Sequence, residues 1–234
     1  MPSETKLVLL PGMDGTGQLF KEFVDALPEA LETVTVRYPT ERCLSYAELE
    51  DLVRTACPIS GPFVLLAESF STPLAIKYAA ANPANHEGLV LCAGFATSPV
   101  RSCRRFLASL LAPLMFHVPL PNFAAKLWLV GPGAAPSLLT AVRSAVSSVQ
   151  SKVLAARLRA VLEFDVRAEL GRVAVPILYI QASQDRLVRA SCLEELRRIK
   201  PRMAVAVLEG PHLLLQREPR RAAAVVTVFV HHPA

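Results

Sequence analysis

Short apolar runs rich in branched residues alternate with segments of helical period through the first part of the chain, and the alternation resumes at Val175. Continuous apolar runs of this length are the mark of strands buried on both faces, and parallel strands need crossover helices between them. The pattern predicts strands over Lys6–Leu10, Val34–Tyr38, Phe63–Ala67, Leu89–Cys92, Val175–Ile180 and Met203–Leu208. It predicts helices over Gln18–Ala26, with Leu19, Phe20, Phe23 and Leu27 on one face, and over Tyr46–Ala56, Phe70–Ala81, Ala190–Ile199 and Pro219–Val230. Ser45 and Glu48 stand at capping-box spacing before Tyr46–Ala56, where hydroxyl and carboxylate each satisfy a free backbone N–H.

After Cys92 the alternation lapses. From Thr97 to Asp165 the chain reads as several helices punctuated by prolines and glycines such as Pro113, Pro119, Gly131 and Pro136. The expected organisation is a doubly wound, mostly parallel α/β sheet of about six strands formed by residues 1–96 and 166–234, with 97–165 as a helical insertion. The longest apolar region, Phe106–Leu120, is broken by Pro113 and Pro119 and is shorter than the roughly 20 residues that span a bilayer. No integral membrane segment is expected.

Composition narrows the class. With 52% hydrophobic and 19% charged residues in 234, the chain has ample side chains for a core and too few charges for disorder. The net charge of +5 raises nucleic acid as a partner, but the basic residues are spread from Lys6 to Arg221. The small clusters Arg101, Arg104, Arg105 and Arg217, Arg220, Arg221 read as solvated helix faces, so no nucleic-acid partner is expected. Cys43, Cys57, Cys92, Cys103 and Cys192 are odd in number and far apart, which reads as free thiols in a reducing compartment. The leading apolar run Leu7–Leu10 is too short for a signal-peptide core, and a cytoplasmic location is expected.

In an open parallel sheet the ligand site lies beyond the carboxyl ends of the strands. Ser69 follows the third predicted strand and opens a helix, with the small residues Ala67 and Ser71 two positions to either side, as a sharp strand-to-helix turn requires. On this window alone the turn reading stands only slightly ahead of a plain helix N-cap. Asp185 and His212, each just after a later strand, would singly read as a turn aspartate and a surface histidine. Together the three follow the order nucleophile, acid, base. A serine needs an imidazole to take its proton, and the imidazole needs a carboxylate to hold its tautomer and charge. Asp165, before a short helix, reads as that helix's cap and is the weaker candidate for the acid.

The segments LVLLPGMDGTG, LLAESFSTPLAIKYAAANP, ILYIQASQDRLV and LEGPHLLLQREP resemble the α/β-hydrolase superfamily over nearly the whole chain. The resemblance implies an α/β-hydrolase fold lacking its two leading antiparallel strands, with the insertion in the place of the family's cap. Ala67 and Ser71 stand where the family carries glycines. It further implies an oxyanion hole from the backbone N–H groups of Met13 and Phe70. The rival reading of Pro11–Gly17 as a phosphate cradle fails, because the Gly-Lys-Ser/Thr ending is missing and Asp14, a turn residue, sits where an anion would approach.

The expectation is therefore a small serine esterase, cofactor-independent, cleaving carboxylic esters of short-to-medium acyl length through an acyl-enzyme. The alternatives are acyl-thioester hydrolysis, acyl transfer on the same three residues, or a non-catalytic binder of the same fold. Leu110, Leu114 and Phe116 of the insertion are candidate walls of an acyl pocket for this small-molecule substrate. His86 and His117 lack partners at metal-ligand spacing, and His231 and His232 lie in a tail, so no metal is expected.

Overall fold

Among the residues described by the computed structural model, 5–100, 116 and 121–232, six strands form one sheet. They are β1 (Lys6–Leu10), β2 (Thr33–Thr35), β3 (Phe63–Glu68), β4 (His86–Cys92), β5 (Ile177–Ala182) and β6 (Ala204–Leu208), in the order β2-β1-β3-β4-β5-β6, and every neighbouring pair is parallel. Successive side chains alternate between faces. Leu7, Leu9, Val64 and Leu66 enter one apolar layer, while Val8, Leu10, Leu65 and Ala67 enter the other. Phe23 from Lys21–Asp25 and Val226 from Pro219–His231 pack on the first layer. Val53 from Tyr46–Ala56, Leu74 from Thr72–Ala80 and Leu196 from Ala190–Ile199 pack on the second. All six residues of β3 are buried. Each fully buried Leu or Val contributes about 1.5–3 kcal/mol, so β3 anchors both layers.

Pairing trims the predicted elements. β2 starts at Thr33 and ends at Thr35, because its partner β1 stops at Leu10 and turns at Pro11, leaving no ladder for the rest of the apolar run. The chain beyond it stays tied to the β1 side by Val36 N–H to Leu9 O and Tyr38 N–H to Gly15 O. β5 starts at Ile177 rather than Val175, since Pro176 has no N–H to give a central ladder. The helix after β3 opens with a 3-10 turn, Ser69–Ser71, and stops at Ala80, after which Asn82 adopts a positive φ of 48° before Pro83. The predicted capping box is present in full, with Glu48 N–H donating to Ser45 Oγ and Ser45 N–H donating to Glu48 Oε2.

Between β4 and β5 the chain forms Asn122–Ala125, a π-helical turn Lys126–Val130, and the helices Pro136–Ser147 and Ser151–Glu163. Thr97 and Asp165 make an antiparallel bridge where this segment leaves and rejoins the sheet. Leu110 and Leu114 lie outside the described residues. No helix among the described residues is long and apolar enough to cross a membrane.

Strand order also locates the crevice. The chain runs outward from β1 to β2, then crosses back to β3 on the other side. The loops after β1 and β3 therefore depart in opposite directions, which leaves an opening at the carboxyl ends of these two strands.

Candidate active site

Ser69 follows directly on β3 with φ 47°, left-handed backbone that a non-glycine residue adopts at a cost of about 1–3 kcal/mol. The bend is held from within, because Thr72 Oγ1 donates to Ser69 O at 2.8 Å. Ser71 explains why a glycine is not needed two residues on. Its hydroxyl donates to Pro11 O and accepts from Tyr38 Oη at 2.7 Å, so it ties the turn after β3 to the loop after β1.

The loops after β5 and β6 bring the other two residues to Ser69. His212 Nδ1 lies 2.7 Å from Asp185 Oδ2, and His212 Nε2 lies 2.9 Å from Ser69 Oγ. A carboxylate only accepts, so Nδ1 carries the proton and Nε2 of the neutral ring accepts from the serine hydroxyl. Asp185 Oδ1 is oriented by the N–H groups of Leu187 at 2.8 Å and Val188 at 2.9 Å. Both side chains are nearly enclosed, 6% exposed for His212 and 3% for Asp185. Burial by itself lowers the pKa of His212; the hydrogen bond and charge of Asp185, with Glu68 behind, outweigh it and hold the ring above its ordinary 6.5.

The other two aspartates singled out in the sequence fall elsewhere. Asp165 accepts from the backbone N–H of Arg167 at 3.1 Å and pairs with that guanidinium, on the surface at the start of Arg167–Arg172. Asp14 accepts from Thr16 N–H at 2.9 Å, as a turn residue does. Met13 follows β1, and Phe70 follows Ser69. Phe116 is partly buried and joins Met13, Val146, Val149, Val153 and Leu154 in one apolar cluster. His86 is buried against Phe63 and Tyr78. No group of three metal-ligating side chains is present among the described residues.

A cavity of about 740 Å³, within the range of small-molecule sites, opens beside the acid end of the row. Phe123, Lys126 and Leu127 line it together with Asp185, Arg186 and Pro211.

Two buried charged residues, Glu68 and Arg157, were not among the sequence candidates. Glu68, immediately before Ser69, is 2% exposed. Its Oε2 accepts from Gln216 Nε2 at 3.2 Å, and its Oε1 has no hydrogen-bond partner. Burial pushes its pKa up to about 7, against the charge of His212 and with that of Asp14. Arg157 is 4% exposed and donates to backbone carbonyls of the loops after β1 and β2. Each left a trace in the sequence: Glu68 ends an otherwise apolar strand, and Arg157 stands between Val153 and Val161 at helical spacing, a charge on an apolar stripe.

No curated protein matches the chain by sequence. Solved structures share its fold at low identity. A thermophilic esterase from Thermogutta terrifontis superposes with a TM-score of 0.83 at 16% identity, covering 99% of this chain and 91% of that one. A carboxylesterase from Nitrososphaera gargenis gives 0.80 at 14%, covering 99% and 92%. An enol-lactonase from Burkholderia xenovorans gives 0.78 at 16%, covering 98% and 92%. A family model described as the alpha/beta hydrolase family matches residues 7–225, a span that runs through the sheet, Ser69, Asp185 and His212, and the chain belongs to that family.

Proposed function

We propose that this chain is a serine hydrolase that cleaves carboxylic esters with short-to-medium acyl chains through an acyl-enzyme intermediate. The observation that carries the reading is the hydrogen-bonded row Ser69–His212–Asp185, at 2.9 and 2.7 Å, with the serine on a left-handed turn at the crevice. In this reading Ser69 Oγ attacks the ester carbonyl carbon while its proton passes to His212 Nε2. The carbonyl electron pair moves onto oxygen, where the Met13 and Phe70 N–H groups receive it. Collapse of that adduct breaks the bond to the alcohol, which leaves with the proton from His212. Water then repeats the sequence on the acyl-serine, and Asp185 stabilises the imidazolium each time.

Several features support the substrate class. Met13 packs in the apolar cluster with Phe116, Val146, Val149, Val153 and Leu154, which puts hydrocarbon beside the loop assigned to the oxyanion. The helices between Thr97 and Asp165 act in this reading as a cap, with Leu110, Leu114 and Phe116 as pocket walls. The buried free thiols of Cys57, Cys92 and Cys192 fit a reducing compartment such as the cytoplasm. The test is labelling with a fluorophosphonate and turnover of graded p-nitrophenyl esters. The expected result is an adduct on Ser69 and a loss of about 10³-fold or more in kcat for Ser69→Ala with the fold retained. Undiminished turnover by that variant in a clean preparation refutes the assignment.

A further inference from the structure

Arg157 lies on the inward face of Ser151–Glu163, where its guanidinium has lost most of its water and needs acceptors in return. It finds them in backbone. Nη1 donates to Met13 O at 2.9 Å and to Asp14 O at 2.7 Å, and Nη2 donates to Pro39 O at 2.9 Å. Met13 and Asp14 are the central residues of a turn closed by Gly15 N–H to Gly12 O at 3.0 Å, so the turn's own hydrogen bond uses neither carbonyl. Anchoring both carbonyls fixes the two peptide planes that follow Met13 and restricts the directions open to the Met13 N–H.

The surroundings are shaped for this group. Gly15 has φ 71°, and a Cβ on it would lie 2.6 Å from Nη1 and 2.9 Å from Cζ of Arg157. The guanidinium carbon sits 5.6 Å from the ring centroid of Tyr38 and 6.0 Å from that of Phe70, within cation–π range. Tyr38 in turn bonds Ser71, which bonds Pro11. One side chain from the inserted helix thus touches both residues assigned to the oxyanion hole, Met13 through its carbonyl and Phe70 through its ring. A lysine has one nitrogen and lacks the planar fork that reaches all three carbonyls.

We propose that Arg157 is a positioning residue that couples the seating of the inserted helix Ser151–Glu163 to assembly of the oxyanion hole. With the helix seated, the guanidinium holds the Met13 turn in donor geometry; without the guanidinium the turn relaxes. The inference rests on the ester-hydrolase reading above.

The experiment compares wild type, Arg157→Ala and Arg157→Lys on a p-nitrophenyl acetate, each corrected for active sites by fluorophosphonate titration. It also measures the affinity of each for a trifluoromethyl ketone, which adds to the serine as a hemiketal oxyanion. The expected result is a fall of about 10²-fold in kcat per active site with KM within about threefold, and an equal fall in affinity for the ketone. Millimolar methylguanidinium restores part of the loss in Arg157→Ala and none in Arg157→Lys. A purely structural role lowers the melting temperature and the titrated fraction but leaves kcat per site and ketone affinity in place. The inference is overturned by kcat per site within about threefold of wild type, by a kcat loss without loss of ketone affinity, or by both variants being unfolded at the assay temperature. If wild type neither labels at Ser69 nor turns over ester, the hydrolase reading fails and takes the inference with it. Labelled, active wild type alongside unaffected variants sinks the inference alone.

Discussion

Replacing Glu68 by Gln removes a carboxyl that the fold buries one residue before the candidate nucleophile, while keeping its size and its contact with Gln216. The folded chain holds this carboxyl at about 7 against an ordinary 4.5, because burial disfavours its charged form. Below pH 4.5 the group is protonated in both the folded and unfolded chains and has no effect on the balance. Between pH 4.5 and 7 the unfolded chain releases the proton and the folded chain keeps it. Wild type therefore loses stability as pH rises across that window, at up to about 1.4 kcal/mol per pH unit. Above pH 7 the loss is complete, at about 3 kcal/mol. The amide of Glu68→Gln does not titrate, and its oxygen still accepts from Gln216 Nε2 at the same contact. The stability of Glu68→Gln relative to wild type should thus grow by about 3 kcal/mol from pH 4.5 to pH 8 and stay level beyond. Urea unfolding at half-unit pH steps reads this directly, and the difference between the two proteins cancels the titration of every group that does not interact with Glu68. A difference independent of pH would refute the reasoning, because it would mean the carboxylate is as well solvated in the folded chain as in the unfolded one.

Three further outcomes are expected. Asp185→Asn should lower ester turnover by about 10⁴-fold by disturbing the tautomer of His212, whereas Asp165→Asn should leave it within about twofold; the reverse order would show that the acid is misassigned. Hydrolysis should rise with pH as His212 loses its proton, with the midpoint above the ordinary 6.5 because Asp185 and Glu68 favour the charged ring, and Glu68→Gln should move that midpoint down. A midpoint that stays in place in pH–rate profiles of the variant would mean that Glu68 does not act on the imidazole. Phe116→Ser should flatten the preference for octanoate over acetate esters, since each buried methylene contributes about 0.8 kcal/mol, or about fourfold in kcat/KM; an unchanged ratio would assign Phe116 to packing alone.

Much of this molecule is written locally. Short apolar runs such as Leu7–Leu10 and Phe63–Ala67, alternating with helix-period segments, suit strands covered on both faces, so period and length mark all six strands and the crossover helices between them. The capping box at Ser45 and Glu48 is a contact across three residues and needs nothing beyond them. Ser69, Asp185 and His212 are legible for a related reason: each follows a strand, and a parallel sheet gathers the carboxyl ends of its strands on one edge. What local pattern could not supply is which buried polar groups meet. Arg157 reaches a carbonyl 144 residues away, Glu68 an amide 148 residues away, and Ser71 a carbonyl 60 residues away. Position after a strand ranks Asp185 above Asp165 in the sequence, but only the return of the chain through β5 and β6 puts His212 against it. Burial favours such partners, because a polar group removed from water without an acceptor or donor inside the protein costs free energy. Periodicity reports how much of a segment is buried; the strand order and the path of the inserted helices decide what each buried group finds there.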